Sequence, residues 1–431
     1  MGSDLVKQTH QMKPKNLIIS LIVLIAVIVI GAFLYKPASE TPSSSLPVNE
    51  TGATAEGVDS VIEANNQFAL EFYQQIKDEG ENIFFSPYSI STALAMTYEG
   101  ARSRTAQEMQ SVFHFPEEAN VRQPAMAKIY NQINKVDKKY ELNTANALWA
   151  QQDYSFLEEY INLIGQYYGG RVTNLDFIEE TEKSRKTIND WVAEQTKDKI
   201  LDLIPAGVLN ALTRLVLTNA IYFKGQWLTQ FDEENTTEED FRVSPERTIK
   251  VPMMSLANGE TEFNYLETEN LQILEMPYDR EELSMLILLP EEDGLSALEE
   301  SLNLENIDQW RNMLNQQPVN VFMPKFTFET KYFLCQTLQE MGLPTAFSKQ
   351  ADFSGMDGTK NLFISKVIHQ AFVEVNEEGT EAAAATAVVM ELKSVGPSIA
   401  VFRADHPFIF LIQDNQSGNI LFLGRVINPG Q

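Results

Sequence analysis

One segment, residues 377–386, constrains this chain more than any other part of its sequence. It follows a strand-like run at 371–375 and contains Gly379, the residue type that reaches backbone conformations closed to the others. Residues 381–387 are rich in alanine, which favours helix because alanine loses no side-chain entropy on folding. A segment that suits a strand, a helix and an open loop predicts a working part that changes conformation.

Composition indicates a large, acidic, globular protein. The 431 residues are 44% apolar and 10% aromatic, enough for a large core in one big domain or two ordinary ones. The net charge of −27 excludes nucleic acid and anionic lipid surfaces as natural partners. With a single cysteine, Cys335, the chain forms no intrachain disulfide.

The N-terminal region predicts a membrane anchor. Residues 17–35 are almost entirely apolar, and at 1.5 Å per residue a helix of this length spans roughly 28 Å, close to the hydrocarbon thickness. Because Lys7, Lys13 and Lys15 precede this run, residues 1–16 are expected in the cytoplasm and the rest outside. The alternative is a cleaved signal peptide and secretion, against which the run is long and lacks an Ala-x-Ala site.

The remainder divides into a linker and one domain. Residues 36–57 are rich in Pro, Ser, Thr and Glu and predict a solvated linker. Residues 58–431 contain no linker-like break and no internal repeat, so we expect a single domain. Helical periodicity dominates its first half, and strand-like runs dominate the second, including one at 319–328. The pattern is typical of an α+β fold with large sheets.

No catalytic or metal-binding motif appears in the sequence. The four histidines are His10, His114, His369 and His406, and none belongs to a paired-histidine metal motif. A nucleophile elbow, a phosphate loop and a dinucleotide glycine pattern are also absent. His369 lies in an apolar strand-like run and is expected to hydrogen-bond as a structural residue. We therefore expect a protein that is not an enzyme and needs no cofactor or metal.

Five motifs, in order along the chain, resemble the serpin family of serine protease inhibitors. They are residues 82–90 (NIFFSPYSI), 217–227 (LTNAIYFKGQW), 351–356 (ADFSGM), 377–386 (EEGTEAAAAT), and 404–408 (ADHPF) together with 422–429 (FLGRVINP). The resemblance runs from about residue 58 to the end of the chain. It implies a single domain of about nine helices and three β-sheets with an exposed reactive-centre loop.

The resemblance also implies suicide inhibition. A protease cleaves the loop, an acyl-enzyme forms, and the loop inserts as a new strand into the central sheet. The residues of this chain that match the family's sheet-opening region are Ser86, Ser89, Asn219, Trp227 and His369. The hinge of the loop matches Glu377, Glu378, Gly379, Thr380, Glu381, Ala382, Ala383, Ala384, Ala385 and Thr386.

The hinge meets the physical requirement for insertion. A strand entering a buried sheet sends alternate side chains into the core. The even-numbered residues from 380 to 390 are uncharged, and the first four of them are small. The odd-numbered residues carry both charges of that span, Glu381 and Glu391. This segregation favours a strand that buries its even-numbered face.

Family spacing from Glu377 places the scissile bond at Lys393–Ser394. A lysine there favours a trypsin-like serine protease, whose specificity pocket ends in an aspartate. Use of Met390 or Leu392 by a chymotrypsin- or elastase-like enzyme stays an alternative. Inhibition of cysteine proteases and a non-inhibitory role as carrier, chaperone or surface protein are further alternatives.

The expected partners are a protease, held in a covalent complex, and the membrane. The stretch after Gly100 is acidic, with Glu108, Glu117 and Glu118, so we expect no heparin-like polyanion activator. We expect the serpin domain to be a monomer.

Overall fold

The computed structural model describes residues 47–135, 140–380 and 399–431. The predicted cytoplasmic residues 1–16 and the predicted anchor 17–35 lie outside these ranges. Within the described residues, no helix has both the length and the apolar composition needed to cross a membrane.

Ten α-helices lie in the described part of the chain, close to the nine that the resemblance implies. The first, α1, is capped by the Thr54 side chain, which accepts a hydrogen bond from the backbone N–H of Gly57. The second, α2, is almost entirely buried. The helices are α1 (Ala55–Ile76), α2 (Pro87–Gly100), α3 (Ser103–Phe113), α4 (Ala119–Ile133), α5 (Glu158–Tyr167), α6 (Thr181–Gln195), α7 (Leu295–Ser301), α8 (Leu304–Met313), α9 (Cys335–Glu340) and α10 (Ser354–Asp357).

Sixteen strands accompany these helices in the described residues. They are β1 (Ile83–Phe85), β2 (Tyr140–Gln151), β3 (Arg171–Leu175), β4 (Leu215–Gln226), β5 (Thr237–Ser244), β6 (Arg247–Leu256), β7 (Glu262–Glu267), β8 (Leu271–Pro277), β9 (Leu283–Pro290), β10 (Asn315–Pro324), β11 (Phe326–Phe333), β12 (Ile364–Val375), β13 (Gly379–Thr380), β14 (Ala400–Arg403), β15 (Phe408–Asp414) and β16 (Ile420–Val426). The mixture confirms the α+β serpin fold.

The strands form one six-stranded sheet and one ten-stranded arrangement. The six-stranded sheet has the order β11-β12-β13-β4-β2-β3, and the other has the order β1-β16-β15-β9-β8-β7-β10-β6-β5, with β14 also on β10. Strand β10 belongs to two sheets, because its residues 315–318 pair with β7 and its residues 321–324 pair with β6. The expected three sheets are therefore present, and two of them share one strand.

The single strand predicted over residues 319–328 is wrong. Strand β10 ends at Pro324, and β11 begins at Phe326 in the six-stranded sheet. Between them the backbone N–H of Lys325 donates to the carbonyl of Pro252 in β6, which continues the register of β10 on β6 by one residue. Both strands are apolar and alternating, so periodicity alone does not reveal that the chain changes sheets.

The solvated linker predicted to run to residue 57 stops earlier. Residues 47–50 pack on the domain, with the Val48 side chain buried, and α1 begins at Ala55. Composition misses this because one apolar side chain and one helix cap, Thr54, suffice to attach the segment.

The pairing of β4 with β12 sets the position of the functional site in the six-stranded sheet. These central strands run parallel from Leu215 beside Ile364 to Tyr222 beside Phe372. Their outer neighbours, β2 on β4 and β11 on β12, are antiparallel. Beyond this stretch β4 and β12 separate, and the short strand β13 lies between them.

Candidate functional site at the open end of the six-stranded sheet

The first hinge residues occupy the opening between β12 and β4. Thr380 pairs with Val375 of β12 on one side and with Gly225 of β4 on the other. Both pairings are antiparallel. The segment 379–380 is thus a two-residue strand inserted into the sheet, while the rest of β4 and β12 stays closed.

Thr380 points into the core. Its side chain is 1% exposed, and its Oγ1 lies 2.9 Å from the phenol oxygen of Tyr278. Burial raises the pKa of Tyr278, so the phenol stays neutral and able to hydrogen-bond. Thr380 is the first member of the uncharged, even-numbered face of the hinge.

Gly379 is required by close approach of the backbone. A Cβ atom added at Gly379 would lie 2.0 Å from the carbonyl oxygen of Gly225. Any side chain at this position would push the hinge out of the sheet or force β4 to move.

Trp227 holds the carbonyls that precede the inserted pair. Its backbone N–H donates to the carbonyl of Glu378 at 2.9 Å, and its indole Nε1–H donates to the carbonyl of Asn376 at 3.0 Å. The buried indole stacks on the Tyr278 ring with centroids 4.6 Å apart. Four residues on, Phe231 donates its N–H to the carbonyl of Glu377 at 2.9 Å. The segment after β4 therefore binds three successive carbonyls, that of Asn376 and those of the first two hinge residues.

Glu377 anchors the hinge electrostatically. Its buried carboxylate accepts from the Lys325 ammonium at 2.7 Å and from the Thr236 hydroxyl at 2.7 Å. Burial alone would raise the pKa of Glu377, but the hydrogen bonds from Lys325 and Thr236 outweigh it and hold the pKa below its usual value. Lys325 is the residue at which the chain passes from one sheet to the other.

Glu378 has the opposite environment. Its carboxyl is buried, and its Oε2 has no hydrogen-bond partner among the described residues. Burial, followed by the nearby Glu233 carboxylate, raises the pKa of Glu378. The two adjacent glutamates thus differ: one is ion-paired and one lacks a partner for one of its oxygens.

Four of the predicted sheet-opening residues meet in one buried cluster beneath the closed part of the sheet. The Ser86 N–H donates to His369 Nε2 at 3.1 Å, and the Ser86 hydroxyl donates to the carbonyl of Leu421 at 2.6 Å. Asn219 donates through Nδ2 to the Ser89 hydroxyl, and its Oδ1 hydrogen-bonds His369 Nδ1. Trp227, the fifth predicted residue, lies instead at the hinge.

His369 is a neutral imidazole whose tautomer is set by these partners. Because Nε2 accepts from a backbone N–H, the proton resides on Nδ1 and is donated to Asn219 Oδ1. Complete burial lowers the pKa of His369 to about 3. Residues His369 and Asn219 are directly paired across β12 and β4, so this side-chain bond ties the two strands together.

Sequence reasoning missed several contributors. Asn146 of β2 joins the cluster, because its Oδ1 accepts from both Ser89 and Asn219. The position of Asn146 as a polar residue within the apolar run 145–150 could have indicated this role. Lys325 and Thr236 carried no signal, since their role depends on contacts with Glu377 that are distant in sequence. Hinge residues 381–386, Lys393 and Ser394 lie outside the described residues.

Comparison with known proteins agrees with this geometry. Residues 63–429 match the family model described as serpin (serine protease inhibitor). An uncharacterized serpin-like protein of Methanosarcina acetivorans is 44% identical over 86% of this chain and 88% of its own length. Leukocyte elastase inhibitor A of Rattus norvegicus is 42% identical over 86% of this chain and all of its own length.

Solved structures agree as well. Uncleaved ovalbumin superposes with a TM-score of 0.77 at 32% identity, covering 85% of this chain and all of that one. Human thyroxine-binding globulin, complexed with thyroxine, gives a TM-score of 0.79 at 31% identity, covering 87% of this chain and all of that one. The chain belongs to the serpin family.

The neutral state of His369 predicts a pH-dependent sheet. Its folded pKa lies below the ordinary value, so the unfolded chain binds the extra proton. The stability it contributes is full above about pH 6.5 and declines as pH falls toward 3, by about 1.4 kcal/mol per pH unit at most. Denaturant unfolding of the uncleaved protein at pH 7, 6 and 5 should show this loss.

The variant His369→Gln should show a shallower pH dependence over the same range. His114→Gln is the matched control, because His114 lies outside the cluster and contacts Glu71 at the surface. Equal slopes for wild type and His369→Gln would contradict the assignment of the pH dependence to His369.

Proposed function

We propose that this serpin is a suicide inhibitor of trypsin-like serine proteases. The protease cleaves Lys393–Ser394, and the loop then enters the six-stranded sheet between β12 and β4. The observation that supports this most is the position of Gly379 and Thr380, already paired with both strands. The hinge therefore begins the insertion before cleavage.

The covalent chemistry is that of ordinary acyl transfer. The protease serine hydroxyl attacks the Lys393 carbonyl, its proton passes through the protease histidine to the Ser394 amine, and the Lys393–Ser394 bond breaks. An ester then joins Lys393 to the protease. Insertion must outrun hydrolysis of this ester, because water would otherwise release the protease intact.

The closed sheet supplies a reason for insertion to be favourable. It contains a parallel β4–β12 pair between two antiparallel neighbours. A strand inserted in the direction of β13 replaces this pair with two antiparallel ones, which are slightly more stable per residue. The even-numbered face is buried at the same time. The uncleaved fold is then metastable and is held by a kinetic barrier.

The register of β13 predicts where each hinge residue would arrive. Continued from Thr380, it places residue 386 opposite His369 and Asn219, which hydrogen-bond each other in the closed sheet. Thr386 is the one hydroxyl residue on the even-numbered face after Thr380. It can hydrogen-bond the two side chains that the incoming strand separates.

A non-inhibitory carrier is the second candidate. Thyroxine-binding globulin, with the same fold, is a complex with thyroxine, so the fold alone does not establish inhibition. The small, uncharged face of this hinge supports insertion, which a carrier does not require. Inhibition of elastase-like proteases would differ in the residue recognised in the loop, and inhibition of cysteine proteases would form a thioester in place of the ester.

Incubation with trypsin should produce a covalent complex that survives SDS. Lys393→Ala should slow its formation by at least about 100-fold, because the charged side chain that fills the specificity pocket is lost. Gel electrophoresis with trypsin, chymotrypsin, elastase and papain identifies the class of target. Lys250→Ala is the control and should leave the rate unchanged, because Lys250 is an exposed residue of β6, outside the six-stranded sheet.

The variant Thr380→Arg distinguishes an inhibitor from a non-inhibitory carrier. A charged side chain cannot occupy the buried position beside Tyr278, so trypsin should cleave this variant as a substrate without forming the complex. Wild-type protein that is cleaved at Lys393 without a stable complex, and without a gain in heat stability, would contradict the proposal and favour the carrier.

The stability of the loop-cleaved protein should depend on Thr386. Thr386→Val keeps the shape but leaves His369 and Asn219 without a replacement hydrogen bond, which should destabilise the cleaved form by about 1–3 kcal/mol. Thr386→Ser keeps the hydroxyl and is the matched control. Denaturant unfolding after cleavage measures the effect, and equal stability of the Val and Ser variants would exclude the proposed register.

We further propose that residues 17–35 anchor the domain to the cell membrane as a single-pass signal-anchor, with the serpin domain outside. The support is the apolar sequence of this run alone. The full chain should stay with membranes during alkaline carbonate extraction, and a chain lacking 17–35 should not. Recovery of a mature N-terminus beyond residue 35 would establish secretion instead.

A further inference from the structure

A short segment before α1 is docked on the domain in an extended form. Val48 is 9% exposed and lies against Ala127 and Tyr130 of α4 and Tyr167 of α5. This apolar contact is separate from the main core of the protein. Residues 47–50, called the strap below, therefore occupy a seat formed by α4 and α5.

The seat hydrogen-bonds both the backbone N–H and the backbone carbonyl of Val48 in the strap. Asn131 of α4 accepts from the Val48 N–H through Oδ1 and donates to the Val48 carbonyl through Nδ2, each at 2.9 Å. The same Nδ2 lies 2.9 Å from Glu50 Oε2, and the Asn49 N–H donates to the carbonyl of Gln166 at 2.8 Å. The Asn131 side-chain amide thus hydrogen-bonds the Val48 backbone as a neighbouring strand hydrogen-bonds an added β-strand.

The two helices of the seat are fixed to each other by a buried carboxylate. Glu99, in the last turn of α2, accepts from Arg122 of α4 at 2.9 Å and from the Tyr168 hydroxyl, just after α5, at 2.5 Å. Glu99 and Arg122 are both almost fully buried. Neither helix can shift without breaking this charged contact, so the seat exists before the strap binds.

We propose that the α4–α5 seat is a peptide-docking site whose occupant is the strap of this same chain. The family match begins at residue 63, within α1 and after the strap. Its docking fixes residues 47–50 on the surface of the domain. The site takes an extended peptide with a small branched apolar side chain that follows a proline and precedes polar residues.

Docking there keeps the N-terminal attachment away from the moving part of the sheet. Helix α5 packs on β3, the edge strand of the six-stranded sheet. The hinge enters between β12 and β4, and β4 and β2 lie between that opening and β3. Force applied through the N-terminal segment is received at the α4–α5 surface, and release of the strap should leave inhibition unchanged.

Amide hydrogen exchange of the full chain tests the proposal. In wild type, the amides of Val48 and Asn49 should be protected, and Asn131→Ala should speed their exchange at least about tenfold, since two backbone partners are lost. Val48→Asp should do the same by removing the apolar contact. Asn134→Ala is the matched control, because Asn134 caps the same helix and, among the described residues, its side chain donates to the Tyr130 carbonyl and not to the strap.

Each outcome of the exchange experiment either supports or overturns the proposed docking site. Loss of protection at residues 48–49 in Asn131→Ala and Val48→Asp, with α4 and the hinge unchanged, supports the seat. Exchange of these amides at the unfolded rate in wild type would overturn it, as would equal release by Asn134→Ala. The rate of complex formation with trypsin should be the same in all four proteins, so this result is independent of the proposed inhibition.

Discussion

The parallel pairing of β4 with β12 is the constraint on which the rest of this structure depends. Two strands that are both flanked by antiparallel neighbours meet here in the less stable orientation, and they remain together because no strand lies between them. A strand that lay between β4 and β12, ran antiparallel to both and turned an uncharged face to the core would give each of them an antiparallel neighbour in place of the parallel one. The chain supplies the first two residues of such a strand, β13, which follows β12 after a short turn. Insertion of the residues after β13, as proposed, would complete this strand and replace the parallel pair with two antiparallel ones.

In the proposed mechanism, two sets of contacts would hold the sheet short of that insertion. At the open end, Trp227, Phe231 and Lys325 bind the backbone or side chains of residues 376–378, so the hinge is held in the entrance. Lower down, the side-chain bond between His369 and Asn219 closes the path. The first set positions the strand, and the second opposes its advance. Because the second set is buried and polar, breaking it without a replacement partner is costly, which gives a barrier rather than a continuous slide.

The sequence predicted the parts of this arrangement that are local. Alternation placed Thr380 on the face that the structure shows buried, and the serpin motifs located Ser86, Ser89, Asn219 and His369, which meet in space. It did not predict Lys325 beside Glu377, because the contact joins a sheet-to-sheet crossing to a residue far along the chain. It also merged β10 and β11, since apolar alternation carries no information on which sheet a strand joins. The pairing of residues 379–380 with both β12 and β4 depends on strand register, which the residue pattern does not reveal.

The strap and the hinge illustrate one physical device used for two purposes. In each case an extended segment is bound through its backbone, by the strands β4 and β12 for the hinge and by the Asn131 amide for the strap. In the proposed mechanism the few contacts of the hinge are the start of a longer ladder, because β4 and β12 continue beyond Thr380. The strap lies on helices clamped by Glu99, and among the described residues its backbone bonds to α4 and α5 go to Asn131 and Gln166. Backbone binding of an extended segment would thus serve a moving element in one place and a fixed attachment in the other, and the difference would come from what surrounds the segment.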